Sequence, residues 1–470
     1  MATEIYSWGG AEEVTGSKHF LEIPSFSVQV DCGVFQGKRQ ETHKRNLDFP
    51  YDAASVDACV LTHGHLDHSG NLPTLVKQGF KGPIYSTPAT VDIARLILLD
   101  SAHVQESDAK YARKISKKKR RKQAFVAEPL YDQEEVEKTM ERFRPVRYGQ
   151  RTAIGPGVFL TFFDAGHILG SAMALLEVEE GGRKRRIVFG GDMGRRNLPI
   201  LRDPQMPPDP DVFVSESTYG DRLHEDILEA KERLGEVVRK TSERGGKIVI
   251  PAFSVGRTQE MIFFLHLLSD ENAIPDIPIF VDSPMSVKAT AIFRAHPECY
   301  DKEVLDAFVA HHENPFGFER LSLIRDVEES KKLNRLNGPA IVISSSGMAE
   351  GGRILHHLMN TIEDPRNTIL IVGFMAENTL GRRLAERHEK VKIFGDEFRL
   401  RAQVKTLNAL SAHADYEEIK SLLSGYSRDR LRDIFLVHGE ADPQKNLSNV
   451  LHEAGFRRVT AVRYGERYRI

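Results

Sequence analysis

Two textures of apolar and polar positions alternate along this chain. In the first, short apolar runs each end at a glycine, a histidine or an aspartate. Residues 5–33 alternate glycine-rich turns with such runs and close on Phe26-Ser27-Val28-Gln29-Val30-Asp31-Cys32-Gly33. Val28 and Val30 alternate as in a strand, which leaves Asp31 at its end. Cys59-Val60-Leu61-Thr62 predicts a buried strand ending at His63, and Phe162-Phe163-Asp164 one that precedes Gly166-His167. Ile187-Val188-Phe189 repeats the plan before Gly190-Gly191-Asp192. Between them, 87–108 carries Val91, Ala94, Leu98 and Leu99 at helical spacing.

From Asp211 the second texture begins, with short buried strands over 212–214, 247–250, 277–281, 340–343 and 368–372. Amphipathic helices separate several of them. The clearest spans 226–244, with Ile227, Ala230, Leu234, Val237 and Val238 on one side and Gly245-Gly246 as its stop. Strands alternating with helices predict a parallel sheet. The tail, 391–470, returns to strands followed by polar turns.

The densest chemistry lies at residues 60–70, which read V-L-T-H-G-H-L-D-H-S-G. His63 and His65, two apart on an extended chain, leave the same face and can share one cation. Asp67 and His68 are adjacent and diverge, so they sit where the chain turns, with a helix expected over 69–76. That bend aims them at a second cation. Imidazole and carboxylate ligands in this mixture suit zinc or a similar borderline ion. Solvated histidines in a polar turn are the competing reading. A buried cluster, however, needs partners, and a metal supplies them all at once. Asp31 can orient a ligand from behind the site. His167 and Asp192 each bring one metal-capable side chain to an irregular turn, where functional residues concentrate. Two more histidines stand in the tail, in Ser411-Ala412-His413-Ala414-Asp415 and after the apolar 434–437 at His438.

Ligands of parallel sheets gather beyond the carboxyl ends of the strands. There the chain carries Glu216 to Gly220, Pro251 to Thr258, Asp282-Ser283-Pro284 and Ser344-Ser345-Ser346-Gly347-Met348, with Gly351-Gly352-Arg353 just after. Hydroxyls, glycine backbone and the guanidinium groups of Arg257 and Arg353 are what a phosphate group needs. Ordinary loop chemistry is the alternative.

At 470 residues there is room for two or three domains. A net charge of −2 excludes a chain that coats nucleic acid non-specifically. The local exception is 110–122, where nine of thirteen residues are Lys or Arg. It reads equally as a solvated loop or as a patch for a phosphate backbone. Cys32, Cys59 and Cys299 form no C-x-x-C pair, which points to a reducing compartment. Residues 1–10 show no signal pattern, and no run approaches the ~18 apolar residues of a membrane helix. The expectation is a soluble cytoplasmic protein with no membrane contact.

Taken together, His63-x-His65-x-Asp67-His68, His167 and Asp192 resemble the signature of the metallo-β-lactamase superfamily. Glu216, Ser411-Ala412-His413-x-Asp415 and Val437-His438-Gly439-Glu440 resemble the three motifs of its β-CASP branch of nucleic-acid-processing nucleases. The resemblance spans essentially the whole chain. It looks nearest to bacterial and archaeal relatives of the endonuclease subunit of the eukaryotic pre-mRNA 3′-end cleavage factor. It implies an α/β fold: an αββα sandwich built from 1–210 and 396–470, with an α/β β-CASP domain inserted at 211–395. It also implies two Zn2+ per chain. His63, His65 and His167 would bind one, Asp67, His68 and His438 the other, and Asp192 would bridge them, with Asp31 behind. His413 would protonate the leaving group, and Glu216 would tune it. Arg257, Ser344, Ser345, Ser346 and Arg353 would hold neighbouring phosphates.

The implied activity is a zinc-dependent endoribonuclease acting on single-stranded RNA, with 5′-to-3′ exonuclease activity as in some members. DNA is the alternative strand, and a homodimer is left open. A hydrolase of a small ester, thioester or lactam and a non-catalytic RNA-binding scaffold are the rival classes. The expectation from the 470 residues is a protein without the extra N-terminal RNA-binding domains of archaeal relatives or the long C-terminal extension of the ribonuclease J type. The other histidines, among them His224, His356 and His357, are expected to be structural or at the surface.

Overall fold

A computed structural model describes residues 3–37, 39–119, 128–311, 314–373 and 375–470. The chain divides into two compact units, one of 1–196, 203–223 and 412–470, the other of 197–202 and 224–411.

The first unit contains two seven-stranded sheets. In one, the hairpin of His19–Ile23 and Phe26–Val30 is followed by Ala58–Val60, Ile84–Ser86 and Phe143–Pro145, each parallel to the strand before it. Val30 pairs with Val60, so Asp31 and the stretch from Leu61 emerge side by side. In the other sheet, Val212–Glu216 lies parallel between Arg183–Phe189 and Asp433–Val437. Phe189 pairs with Val214 and Glu216 with Val437, so Asp192, Glu216 and His438 leave neighbouring strand ends.

The strand alternation explains why the two sheets meet. Leu21, Val28, Val30 and Val60 of the first share one core with Phe162, Leu176, Phe189, Val214 and Phe435 of the second. Full burial of each such side chain contributes ~1.5–3 kcal/mol. The outer faces carry helices. Ile419, Leu423, Leu447 and Leu451, from Tyr416–Ser424 and Ala441–Glu453, pack on Val188, Phe213 and Leu436. Leu72, Leu75 and Ala94 cover Phe20, Leu61 and Ile84. This is the αββα sandwich expected from the motifs.

Two local expectations differ. The chain after His65 forms Leu66–Ser69 and then Leu72–Lys77, not one helix over 69–76. Asp67 and His68 therefore sit in the first turn of a short helix. The basic run does not begin as a loop, because one helix, Pro88–Lys119, continues into it. Lys and Arg are good helix formers, and Lys110 pairs with Glu106 and Arg113 with Glu128. Residues 120–122 of the run lie outside the described residues.

The second unit is built on six parallel strands in the order Leu321–Ile324, Ile279–Asp282, Ala340–Ser344, Lys247–Pro251, Thr368–Ile371 and Gln403–Thr406. The helix expected over 226–244 is Leu228–Glu243, stopped by Gly245 at φ +71. Both junctions fall later than 211 and 396. Val212–Glu216 belongs to the sandwich because its partners are there, and Gln403–Thr406 pairs with Thr368–Ile371 of the parallel sheet. Among the described residues no helix is long and apolar enough to cross a membrane.

Candidate metal centre

The predicted ligands converge at the carboxyl ends of strands in the first unit. Asp31 and His438 each follow a strand with positive φ, +62 and +47, conformations rare outside glycine and typical of functional turns. The Asp31 carboxylate accepts bonds from Thr62 N at 2.8 Å and Thr62 Oγ1 at 2.9 Å. It also accepts from His68 Nδ1 at 2.7 Å. That bond fixes the tautomer of His68 and turns Nε2 to the site, 3.2 Å from Asp192 Oδ1. Asp67 is held through its backbone, whose carbonyl accepts from Ser17 N at 2.9 Å. The approach of Gly33 is so close that a Cβ there would lie 1.6 Å from the same carbonyl oxygen.

Two groups of metal-capable atoms result. His65 Nδ1 lies 3.1 Å from His63 Nε2 and 3.2 Å from His167 Nε2. Asp192 Oδ2 stands 3.5 Å from both of those partner nitrogens. Tetrahedral zinc with bonds near 2.0–2.1 Å has ligand–ligand edges of about 3.3–3.4 Å, and these four separations are of that size. Asp67, His68 and His438 form the second group. His438 Nε2 lies 3.5 Å from Asp67 Oδ2, and its Nδ1 is 3.0 Å from Thr218 Oγ1. Asp192 contributes to both sides through its two oxygens. The buried Asp192 Oδ1 and His438 Nε2 make no hydrogen bond. Buried polar atoms without partners are rare, and bound cations would satisfy such atoms. The donor set fits divalent metal.

The electrostatics agree. Burial, reinforced by His68 next door, pushes His63 well below the usual imidazole range. Burial likewise lowers His65 and, with His413 adding to it, His167. These rings are neutral and offer lone pairs. Burial opposes ionisation of Asp192, yet His438, His68 and His63 outweigh it and hold the carboxyl well below its ordinary range. For Asp67, too, burial is overcome, by the close approach of His438 and the charges of His68 and His438. His68 is the exception among the imidazoles. Burial works against its charge, but Asp192 and Asp31 raise it.

His413 stands beside these groups as a member of a different pair. Its Nδ1 lies 2.9 and 3.2 Å from the two oxygens of Glu216 and 3.9 Å from Asp192 Oδ2. Glu216 is fully buried and anchored by Met193 N at 2.6 Å, whereas the His413 side chain is 22 % exposed. Burial disfavours the imidazolium, but Glu216 and Asp192 outweigh it and lift the pKa to about 9. The chain from Met193 is bonded back to this segment, with Ala414 N donating to Met193 O at 2.7 Å.

His19 is a neighbour that sequence reading missed. It is buried, bonded to Ser7 Oγ at 2.8 Å, and lines the same closed space as Asp31, His68, Asp192 and His438. Burial first, then His68 and His438, lower its pKa to about 3. Its signal was its pairing with Val30, one residue before Asp31, which only the hairpin register reveals. Thr218, bonded to His438, was also missed, although it follows Glu216 by two residues.

The candidate phosphate residues lie in the second unit. Ser344 Oγ is buried and donates to Asp282 O at 2.8 Å, while Ser345 Oγ donates to Ser283 Oγ at 2.9 Å. Ser346 Oγ accepts from Glu350 N at 3.1 Å. Arg353 pairs with Asp282 at 2.6 Å, and His357 bonds the other oxygen of that carboxylate, also at 2.6 Å. His357 is therefore structural, as expected. Arg257 is nearly buried and already paired with Glu260 at 2.5 Å. The serine loop and Arg353 thus gather round Asp282, whereas Arg257 is engaged within its own helix, Arg257–Asp270.

Comparison with known proteins accords with this arrangement. The chain matches the Metallo-beta-lactamase superfamily domain over 20–189, the Beta-Casp domain over 258–384 and the Zn-dependent metallo-hydrolase RNA specificity domain over 397–461. It is 37% identical over 462 residues to Ribonuclease TTHA0252 of Thermus thermophilus, covering 98% of this chain and 99% of that protein. It is 32% identical over 460 residues to Transcription termination factor FttA of Methanosarcina mazei, covering 96% of this chain and 69% of that one. A crystal structure of a protein of unknown function from Enterococcus faecalis V583 shares the fold, with a TM-score of 0.53 and 11% identity across 100% of both chains. The chain belongs to the β-CASP branch of the metallo-β-lactamase superfamily and is a metal-dependent hydrolase.

Proposed function

We propose that this protein is a zinc-dependent endoribonuclease that hydrolyses phosphodiester bonds in single-stranded RNA. The observation that carries the reading is the His413–Glu216 pair at 2.9 Å, set beside the metal-capable groups His63–His65–His167–Asp192 and Asp67–His68–His438. A small-molecule hydrolase needs the metal groups but has no use for a second, independently anchored proton donor. The kinship with a protein named as a ribonuclease and the match to an RNA specificity domain support RNA as the substrate.

His63, His65, His167 and Asp192 would hold one zinc ion, and Asp67, His68, His438 and Asp192 the other. Bound there, such ions lower the pKa of water toward ~7 and stabilise charge gathering at phosphorus. Asp31 orients His68 by accepting from Nδ1–H and so directs Nε2 toward the site. The departing 3′-oxygen is a poor leaving group, and His413, protonated at neutral pH, donates to it from Nε2. Nδ1–H stays on Glu216 throughout, so the ring keeps its direction. Such general-acid catalysis typically contributes ~10²–10⁴-fold.

In the second unit, Ser345 and Ser346 are half-buried and Arg353 is held by Asp282, so they can bond backbone phosphates. Ser344 and Arg257 support those loops through Asp282 and Glu260. The three cysteines are buried and unbridged, which suits the reducing cytoplasm.

A covalently closed, unstructured RNA circle tests this reading. Linearisation of the circle by the metal-loaded protein is the expected result, with exonucleolytic shortening following from the new 5′ end. An intact circle beside a degraded linear RNA would leave only exonuclease activity, and two intact substrates would refute the assignment.

A further inference from the structure

We propose that Phe253 is a stacking platform for one nucleobase of the bound strand, adjoining the serine hydroxyls that take up a phosphate. The inference rests on the RNA reading above and names a contact within it. Phe253 follows the strand Lys247–Pro251, at the carboxyl end of the parallel sheet, where ligands of such sheets bind. Phe264, Phe293, Tyr300 and Phe316 of this unit are packed away; Phe253 and Phe394 are exposed, and of these two Phe253, 48 % exposed, lies in a loop at the strand ends.

The exposure is not slack. The Phe253 carbonyl accepts from Thr258 N at 3.2 Å and from Thr258 Oγ1 at 2.7 Å, which pins the loop to the start of the following helix. The ring rests against Gly347. A Cβ at that glycine would lie 2.9 Å from the ring Cδ2 and 3.0 Å from its Cγ, so a larger residue would push the ring away. The ring thus has Gly347 as a close neighbour while about half of the residue stays exposed. A flat apolar group held in place before binding gains contact area at little entropic cost.

Its surroundings name the occupant. Ser254 Oγ lies 3.4 Å from Ser283 Oγ, which in turn accepts from Ser345 Oγ at 2.9 Å. A chain of hydroxyls therefore runs from the residue beside the ring into the Ser344–Ser346 loop. A nucleotide offers a flat base and an anionic phosphate in adjoining positions, which matches an aromatic ring beside a run of hydroxyls. Stacking is tolerant of base identity but requires an open base face. The platform therefore favours unpaired strands without imposing a sequence.

The test uses the full chain with an unstructured RNA, binding being read by fluorescence anisotropy in the slow-cutting His413→Ala background. Phe253→Ala should weaken binding about 5- to 150-fold. Phe253→Trp should retain affinity, and Phe253→Leu should resemble the alanine variant, because leucine is apolar but not flat. An abasic-site scan then gives a readout that misfolding cannot mimic. With Phe253 present, one position should show a marked loss, and in Phe253→Ala that loss should vanish. Leucine restoring affinity as well as tryptophan would overturn stacking in favour of apolar docking. Wild-type cleavage of RNA with unchanged affinity in all three variants would overturn the platform and leave the ribonuclease reading standing. A wild type that neither binds nor cuts RNA would overturn both.

Discussion

Glu216→Gln isolates the proton donor from the metal centre. Glutamine has the shape of glutamate and still offers an oxygen to Met193 N, bonded at 2.6 Å, so the buried side chain loses its charge without losing its anchor. That charge sits 2.9 Å from His413 Nδ1 and is the largest influence favouring the imidazolium; burial opposes it. The elevation of His413 from 6.5 to about 9 corresponds to about 3 kcal/mol of preference for the protonated ring. An acid must carry its proton to act, so wild-type kcat should fall as pH rises through about 9. Without Glu216 the burial penalty remains and most of the compensation is gone, so the falling limb should move below pH 7. At pH 7.5 kcat should drop by about 10- to 100-fold and recover in part near pH 6. The assay is the pH dependence of kcat on a short RNA at saturating metal, with metal content confirmed for each protein. A loss of the same size at every pH, or an unmoved basic limb, would refute the role given to the pair.

Two further substitutions probe the metal groups from behind. Asp31→Asn leaves His68 Nδ1 a weaker acceptor and should lower zinc affinity about 10- to 100-fold in a competition titration with a chelating dye; unchanged affinity would remove Asp31 from the design. Gly33→Ala places a methyl group 1.6 Å from the Asp67 carbonyl oxygen and must displace the turn that carries Asp67 and His68. Metal analysis should then find about one ion per chain, and two retained ions would contradict the geometry.

Much of the site was legible because each ligand follows a short apolar run whose end is visible in sequence. His63, His167, Asp192 and His438 all obey that rule. What was not legible depends on pairings distant in sequence. That Glu216 belongs with His413 was implied by the family motifs alone; what brings the two together is Glu216 pairing with Val437 and Ala414 bonding Met193. The same long-range pairing draws Val212–Glu216 into the sandwich and moves the first junction later than expected. His19 escaped notice because its neighbourhood is set by a hairpin register and not by a motif. The basic run offered a loop as one of its two readings because it lacks apolar periodicity, but lysine and arginine propagate a helix on their own propensity. The partner of Arg257 was itself legible, since Glu260 stands one helical turn away.

The central claim is that His413 and the metal groups act together on RNA. End-labelled, unstructured RNA and a DNA strand of the same sequence, incubated with wild type and with His413→Ala at equal measured metal content, test it directly. The account predicts internal cuts in RNA by the wild type and a loss of about 10²- to 10⁴-fold in the variant, with DNA spared. Equal cutting by the two proteins, or none by a wild type carrying its full metal, would contradict it.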